Sequence, residues 1–496
     1  MSITEQSGSS ASLLTPRGQM ALYLLLGFAA GLPFYMFSTV LALRLTAHGV
    51  GLVLIGFFVW VTLLPTFKFL WAPLLDRFDV PGFGRFWGRR RGWIMLSQLG
   101  IFTAMVGLAI TASDRSLPVT ALFAVLLAFW TTTLEIAADG WRIELAPTQE
   151  AQGPVVAANL WGYRSAMVAA SSGSLLVADA AGWGPAYLVI AAAAFAPFPI
   201  LAAMRPDPNH GGGRGVALLT GLFASAVILC AAAVATAAIG WVLLALAARM
   251  GVTAKSDATA AVLVICLVPF IIMALALPRI RRARPGDWIR RSAAIGPYVD
   301  IFWRFGYGTL PILLFVSLYR MGDVFALALS KPLVKSLGYT LTQIGVADGA
   351  IALAASMIGV AAGGWMVTRW PGAWVLAFGA ILAAVGNWGF VWLAHQQPSN
   401  LILYIATASD QVGNGFAGAV FVVYLSMLVN PRFPGAQYAF LSGFAFLLPR
   451  LLAGASGSIE KSIGYDGFFM LSGGLSAAAA LLLPIVIPLK PRAEDA

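Results

Sequence analysis

Glu135, Asp139 and Arg142 fall at i, i+4 and i+7 where the apolar run from Leu117 to Ala138 ends. On one continuous helix this spacing puts all three side chains on a single stripe. Ionisable groups at membrane depth are costly, and they face a cavity, a partner or a proton path. The chemistry this offers is proton binding by a carboxylate that burial favours in its neutral form and a nearby cation resets. Arg142, followed by Glu144 and Pro147, reads as a contact at the helix end, which leaves Glu135 and Asp139 as the leading proton carriers. Asp323 and Asp410 lie in later apolar runs and are further candidates. Asp323 follows Arg320 by three residues, so the two can pair on one helix face.

The elements that must position these residues are membrane helices. Of 496 residues, 60% are hydrophobic and only 10% charged, which is more apolar than a soluble globular domain. Stretches long enough to cross a bilayer recur about fourteen times. They lie near 21–45, 52–73, 93–112, 117–140, 155–178, 185–204, 216–240, 259–278, 306–330, 344–368, 372–394, 401–426, 438–459 and 467–489. The expectation is an all-α polytopic membrane protein. The Ser-rich start through Gln19 has no short apolar core followed by a cleavage site, so the first span is expected to act as its own insertion signal. Cys230 and Cys266 sit singly in apolar runs and define no disulfide or metal framework, so no cofactor is expected. His48, His210 and His395 fall in loops, which argues against coupling through histidine. The chain has no Gly-rich loop ending in Lys-Ser/Thr, against ATP-driven transport. It lacks the metal or nucleophile constellation of a membrane enzyme acting on lipid-linked sugars, and the filter-like repeat of a channel.

A net charge of +11 raises nucleic acid as a partner, but its distribution argues for topology instead. Arg77, Arg85, Arg89, Arg90 and Arg91 follow span two, and Arg279, Arg281, Arg282, Arg284, Arg290 and Arg291 follow span eight. Both clusters fall on the side of the N-terminus, so the positive-inside rule predicts two cytoplasmic termini, with anionic lipid at the arginines.

The chain also echoes itself. GLPFYMFSTVLALRLTAHGVGLVLIG from Gly31 is matched by GDVFALALSKPLVKSLGYTLTQIG from Gly322, and Tyr163–Arg164 by Pro449–Arg450, at offsets of about 290 residues. This predicts a tail over 1–19, a six-helix half over 20–204, a linker with two extra spans over 205–305, a second six-helix half over 306–490 and a tail over 491–496. Asp287–Phe305, with Trp288, Ile289, Ile295, Val299, Ile301 and Trp303 among arginines, is expected as an amphipathic helix on the cytoplasmic face. Gly359, Gly363 and Gly364, and Gly413, Gly415 and Gly418, are spaced for close helix contact, and Pro33 and Pro65 for kinks.

Asp76–Arg77 at the end of span two and Gly88–Arg89–Arg90 opening span three can form a charge latch between neighbouring helices. This resembles the loop signature of the major facilitator superfamily. The wider pattern resembles bacterial muropeptide permeases of the AmpG type, a group within that superfamily that includes eukaryotic acetyl-CoA transporters. It comprises KFLWAPLLDR at 68–77, RRRGW at 89–93, Glu135 with Asp139–Gly–Trp–Arg142–Ile–Glu144, and Gly162–Tyr163–Arg164. LYRMGDVFALALSKPL at 318–333 and the run from Ala436 to Ser442 add to it, so the match covers most of residues 20–490. The chain departs from the group in having Glu135 where Asp is common, and Asp348–Gly349 where Asn-Lys is common.

The resemblance implies a major facilitator fold of two six-helix halves plus two central spans, in a monomer of the bacterial inner membrane. It implies import of anhydro-muropeptides (GlcNAc-anhydroMurNAc and its peptides) from periplasm to cytoplasm by proton symport with alternating access. Asp76, Arg77, Arg89, Arg90 and Arg142 would gate the cycle. A sugar–peptide cargo calls for cations that hold carboxylate bidentately and for rings that stack on sugars. Arg164, Arg320 and Arg450 lie inside apolar runs and fit the first need; Trp161, Tyr163, Tyr319 and Tyr424, with Trp141, fit the second. A coenzyme A ester or a siderophore is the alternative cargo.

Overall fold

A computed structural model describes residues 14–50, 58, 60–111, 116–204, 275–284, 286–489 and 491–492. Among them are ten helices long and apolar enough to cross a membrane. Eleven long helices carry the description that follows. They are α1 (Pro16–Ala47), α2 (Arg89–Ile110), α3 (Leu117–Leu145), α4 (Gln149–Val168), α5 (Trp183–Ala203), α6 (Thr309–Ser336), α7 (Thr342–Val367), α8 (Gly372–Ala394), α9 (Asn400–Leu428), α10 (Pro434–Ala453) and α11 (Ser456–Val486). Helix α4 is not one of the ten apolar spans; its first turns carry Gln149, Glu150 and Gln152, and helical structure continues beyond it through a π-turn, Ala169–Gly173, into Ser174–Ala181, covering the span expected at 155–178. Of the second expected span, residues 60–73 are described without interruption and lie in a 3-10 helix over Trp60–Leu70 and the start of a short helix, Ala72–Arg77. Spans expected at 216–240 and, for the most part, 259–278, together with Cys230, Cys266 and His210, lie outside the described residues.

Helix α1 begins earlier than the expected span. Thr15 caps it, its hydroxyl accepting from the Gly18 N–H at 3.2 Å, and Pro16 takes the first turn, where no amide donor is needed. Pro33 interrupts the hydrogen-bond ladder, and the helix widens into a π-turn over Met36–Val40 before it continues. Asp287–Phe305 departs from the single amphipathic helix expected. It forms a short turn of helix, Trp288–Arg291, a break, and Gly296–Phe305, whose Val299, Ile301 and Phe302 are buried. The break falls just before Gly296–Pro297, where proline suits the first turn of a new helix.

The chain forms two compact units. The first comprises Met1–Thr220 with Ser426–Ala439, and the second Gly221–Leu425 with Phe440–Ala496. In the first, α1 and α4 touch backbone to backbone. A Cβ on Gly162 would stand 2.0 Å from the Leu24 carbonyl oxygen, and one on Gly27 2.0 Å from that of Asn159. This contact fixes the height at which Tyr163 and Arg164 are presented. In the second unit, Gly359 of α7 meets Val412 of α9 and Gly415 of α9 meets Ser356 of α7, so the expected glycines on each helix admit the backbone of the other. A core around Phe325, Phe390, Phe468 and Phe469 packs α6, α8 and α11 together.

Candidate functional site

The stripe on α3 is real, and it meets a partner that spacing along the chain does not reveal. Lys68 of the 3-10 helix places its ammonium 3.7 Å from a Glu135 oxygen and 3.8 Å from an Asp139 oxygen. The Trp71 indole N–H, donating to Thr133 Oγ1 at 3.1 Å, and its ring against Phe129 hold this segment to α3. The Lys68 side chain is 10% exposed, Glu135 21% and Asp139 18%, so the cluster is screened from bulk water yet reachable.

Arg142 is wholly buried, and it donates to Gln152 Oε1 at 2.5 Å, to Ser426 Oγ at 3.0 Å and to Asp139 Oδ1 at 3.2 Å. Gln152 in turn donates to the Ala146 carbonyl at 2.6 Å. The Tyr438 ring lies 5.2 Å from the Arg142 guanidinium and 5.8 Å from the Lys68 ammonium, within reach of a cation–π contact with both. Asp139 therefore has two cations, one on each side, while Glu135 shares only Lys68 with it among these contacts. The net charge of Lys68, Glu135, Asp139 and Arg142 is zero, so a single proton unbalances the set.

One helical turn further, a second cluster forms around Asp76, which is 5% exposed. It accepts from the Gly435 and Ala436 amides at 3.1 and 2.7 Å, at the positive N-terminus of α10, and pairs with Arg90 at 2.7 Å. Arg90 also meets Glu144 at 2.8 Å, with Arg89 at 3.7 Å from the same carboxylate. The turn that starts this arrangement needs a glycine, because Gly88 stands at φ 80° just before Arg89. The expected latch partners thus divide. Asp76, Arg89 and Arg90 come together with Glu144, Arg77 is exposed, and Arg142 belongs to the first cluster.

In the second unit, Arg320 and Asp323 pair at 2.8 Å on α6, their side chains only 12% and 3% exposed. The Arg320 and Arg450 guanidinia lie 5.4 and 5.5 Å from the ring of Phe446, so two of the expected cargo cations converge on one aromatic ring. Tyr319, expected to stack on a sugar, is engaged within the second unit. Its ring already lies parallel to Phe421 at 5.2 Å, and its hydroxyl donates to the Leu376 carbonyl at 3.3 Å in a site 1% exposed. Tyr424 packs edge-on to Phe315 with its hydroxyl buried. Asp410 accepts from Gln411 at 2.9 Å, and Asp348 pairs with Lys331 at 2.9 Å in an exposed position. On α4, Tyr163 leans on Phe34 and Tyr35, beside Arg164, and Trp161 is 37% exposed.

Lys68, Gln152, Ser426, Tyr438 and Glu144 complete these clusters, and sequence reasoning did not single them out. For Lys68 a signal existed, a lone lysine within the apolar stretch WVTLLPTFKFLWAPLL. Glu144 and Tyr438 fall within stretches that carry the family resemblance, but their partners, like the roles of Gln152 and Ser426, come only from the fold.

No protein-family model matches the chain. Curated proteins do. It is 26% identical over 466 residues to the anhydromuropeptide permease of Escherichia coli K12, covering 93% of this chain and 78% of that one. It is 25% identical over 463 residues to the transporter AmpG 4 of Rickettsia conorii, covering 92% and 94%. Among solved structures it resembles the proton:xylose symporter XylE (TM-score 0.61, 14% identity, 95% of each chain). It also resembles the human organic anion transporter MFSD10 (TM-score 0.55, 14% identity, 95% and 100%).

The helices and these likenesses define a multi-pass membrane protein of transporter type, not an enzyme, with the major facilitator fold. Along more than nine tenths of its length the chain is similar to proteins named as permeases and transporters of the AmpG type.

Proposed function

We propose that the chain imports anhydro-muropeptides across the bacterial inner membrane by proton symport with alternating access. The observation that carries this reading is the Lys68–Glu135–Asp139–Arg142 cluster, a formally neutral set of charges in an apolar setting that one proton unbalances. The name of the Escherichia coli relative supports the choice of cargo. In this reading Glu135 and Asp139 exchange the coupled proton, and Lys68 moves its attraction to whichever carboxylate remains charged. Asp323, and after it Asp410, are the second choices. Arg164, Arg320 and Arg450 hold the peptide carboxylates, with Tyr163, Trp161 and Tyr424 against the sugar. Asp76, Arg89 and Arg90 act as the latch, with Glu144 added to the set. We propose two six-helix halves joined by a linker with two further spans, a monomer, and both termini in the cytoplasm, as the arginine distribution favours.

Uptake of radiolabelled anhydro-muropeptide into vesicles with and without a pH gradient tests the reading. Uptake that rises with an inward-directed proton gradient, and loses that dependence in Asp139→Asn, is expected. Uptake indifferent to the gradient removes the proton assignment. Binding of acetyl-CoA without binding of muropeptide moves the cargo to a coenzyme A ester, a possibility raised by Asp348–Gly349 standing where the group commonly has Asn-Lys.

A further inference from the structure

The stretch leading into α6 gathers arginines and aromatic rings for which the transport reading has no use. Three chain segments meet there, all in the second unit. From the helical residues 275–281 comes Arg281, exposed, its guanidinium 4.8 Å from the Tyr307 ring. From 288–305 comes Trp303, its ring 4.1 Å from the Arg290 guanidinium and 5.2 Å from that of Arg492. Arg492 arrives from the end of the chain, tied down by its backbone N–H donating to the Arg304 carbonyl at 2.8 Å. Trp288 stands 74% exposed and Tyr307 57% exposed beside them.

A guanidinium laid on a ring is held flat, and a flat N–H fork is the shape that takes a phosphate bidentately. Arg279, Arg282, Arg284 and Arg291 are also exposed in this stretch and raise the local positive potential. Among the described residues of this stretch the acids are Asp287 and Asp300. The first accepts the Arg284 backbone N–H at 2.7 Å, and the second is 5% exposed. Exposed indole and phenol rings at the foot of a membrane helix are interface anchors, with an apolar body for the acyl boundary and a polar tip for the headgroups. Phosphate-binding forks beside interface anchors match a lipid better than a dissolved ion.

We infer that this platform binds the phosphodiester headgroup of an anionic phospholipid of the phosphatidylglycerol type, with Arg281 and Arg492 as its principal phosphate ligands. The inference does not depend on the cargo or on proton coupling.

Native mass spectrometry of the full-length chain in detergent, titrated with phosphatidylglycerol or phosphatidylcholine, tests it. The wild type is expected to retain phosphatidylglycerol preferentially, and Arg281→Gln/Arg492→Gln to bind it roughly thirtyfold more weakly. Arg279→Gln/Arg282→Gln removes the same charge without touching a ring and is expected to cost several-fold less. Equal binding by wild type and the first double variant overturns the site. Equal loss in the two double variants replaces it with diffuse electrostatics and overturns it as well. Displacement of phosphatidylglycerol by millimolar inorganic phosphate would assign the platform to a dissolved anion and overturn the lipid. All four arginines are exposed, so each variant is expected to elute at the wild-type position in gel filtration, and the binding comparison is made between folded chains.

Discussion

Lys68 stands 3.7 Å from Glu135, and the same ammonium lies 3.8 Å from Asp139, so one cation serves two carboxylates spaced one helical turn apart. Removing that cation leaves Asp139 with Arg142 and takes from Glu135 the ammonium that the two carboxylates share, in a site 18–21% exposed. Lys68→Ala is therefore expected to lower uptake by tenfold or more while the protein still reaches the membrane. Lys68→Arg keeps the charge but exchanges a point cation for a planar fork, and is expected to retain part of the activity. Initial uptake rates normalised to the amount of protein decide it; wild-type rates in Lys68→Ala would detach the lysine from function.

Asp76 satisfies two backbone amides and one guanidinium in a buried setting. Asp76→Ala leaves Arg90 short of a partner and two amides of α10 uncapped, a loss of about 3–5 kcal/mol by analogy with broken buried pairs. A fall in the melting temperature of the purified protein is expected. Asp76→Asn keeps an acceptor oxygen and is expected to fall between the two.

Arg320 and Asp323 form a pair whose side chains are only 12% and 3% exposed. Either single neutralisation removes one charge of a buried pair and is expected to destabilise the second unit. Arg320→Met/Asp323→Leu removes both charges, and a buried pair replaced by apolar side chains is commonly as stable as the original. The double variant is thus expected to recover the melting temperature but not the uptake. Recovery of both would make the pair structural.

Gly162 has no room for a side chain, because its Cβ would meet the Leu24 carbonyl at 2.0 Å. Gly162→Ala is expected to separate α1 from α4 and cost about 1–3 kcal/mol. Gly173 of the same chain stretch has nothing within 4 Å, so Gly173→Ala is expected to be neutral or slightly stabilising. Thermal melts of the two variants side by side give the contrast.

How far the site was legible depends on the range of each contact. Glu135, Asp139 and Arg142 could be aligned without a structure, because helical periodicity is local and the run around them is strongly apolar. Arg320 with Asp323 followed from the same rule. Lys68 could be noticed but not assigned, since nothing along the chain says which carboxylate it meets. Tyr319 and Tyr424 carried the composition of stacking residues, yet Tyr319 is taken up by Phe421. A ring's role is set by what packs on its face, and that is a property of neighbours from other helices. Asp287–Phe305 misled in another way, because its apolar residues suit one helix while Pro297 permits a second to begin.

By itself the sequence determined that this is a many-spanning helical membrane protein of the AmpG-type pattern, with its charges confined to few places. Burial of backbone polar groups in lipid leaves helices as the available answer for such apolar runs. Which charges neutralise which was decided only by the tertiary structure. Lys68 reaches α3, Arg142 reaches Ser426 and Asp76 reaches the start of α10 because folding brings distant turns within 4 Å, and electrostatic pairing at that range depends on distance in space, not along the chain.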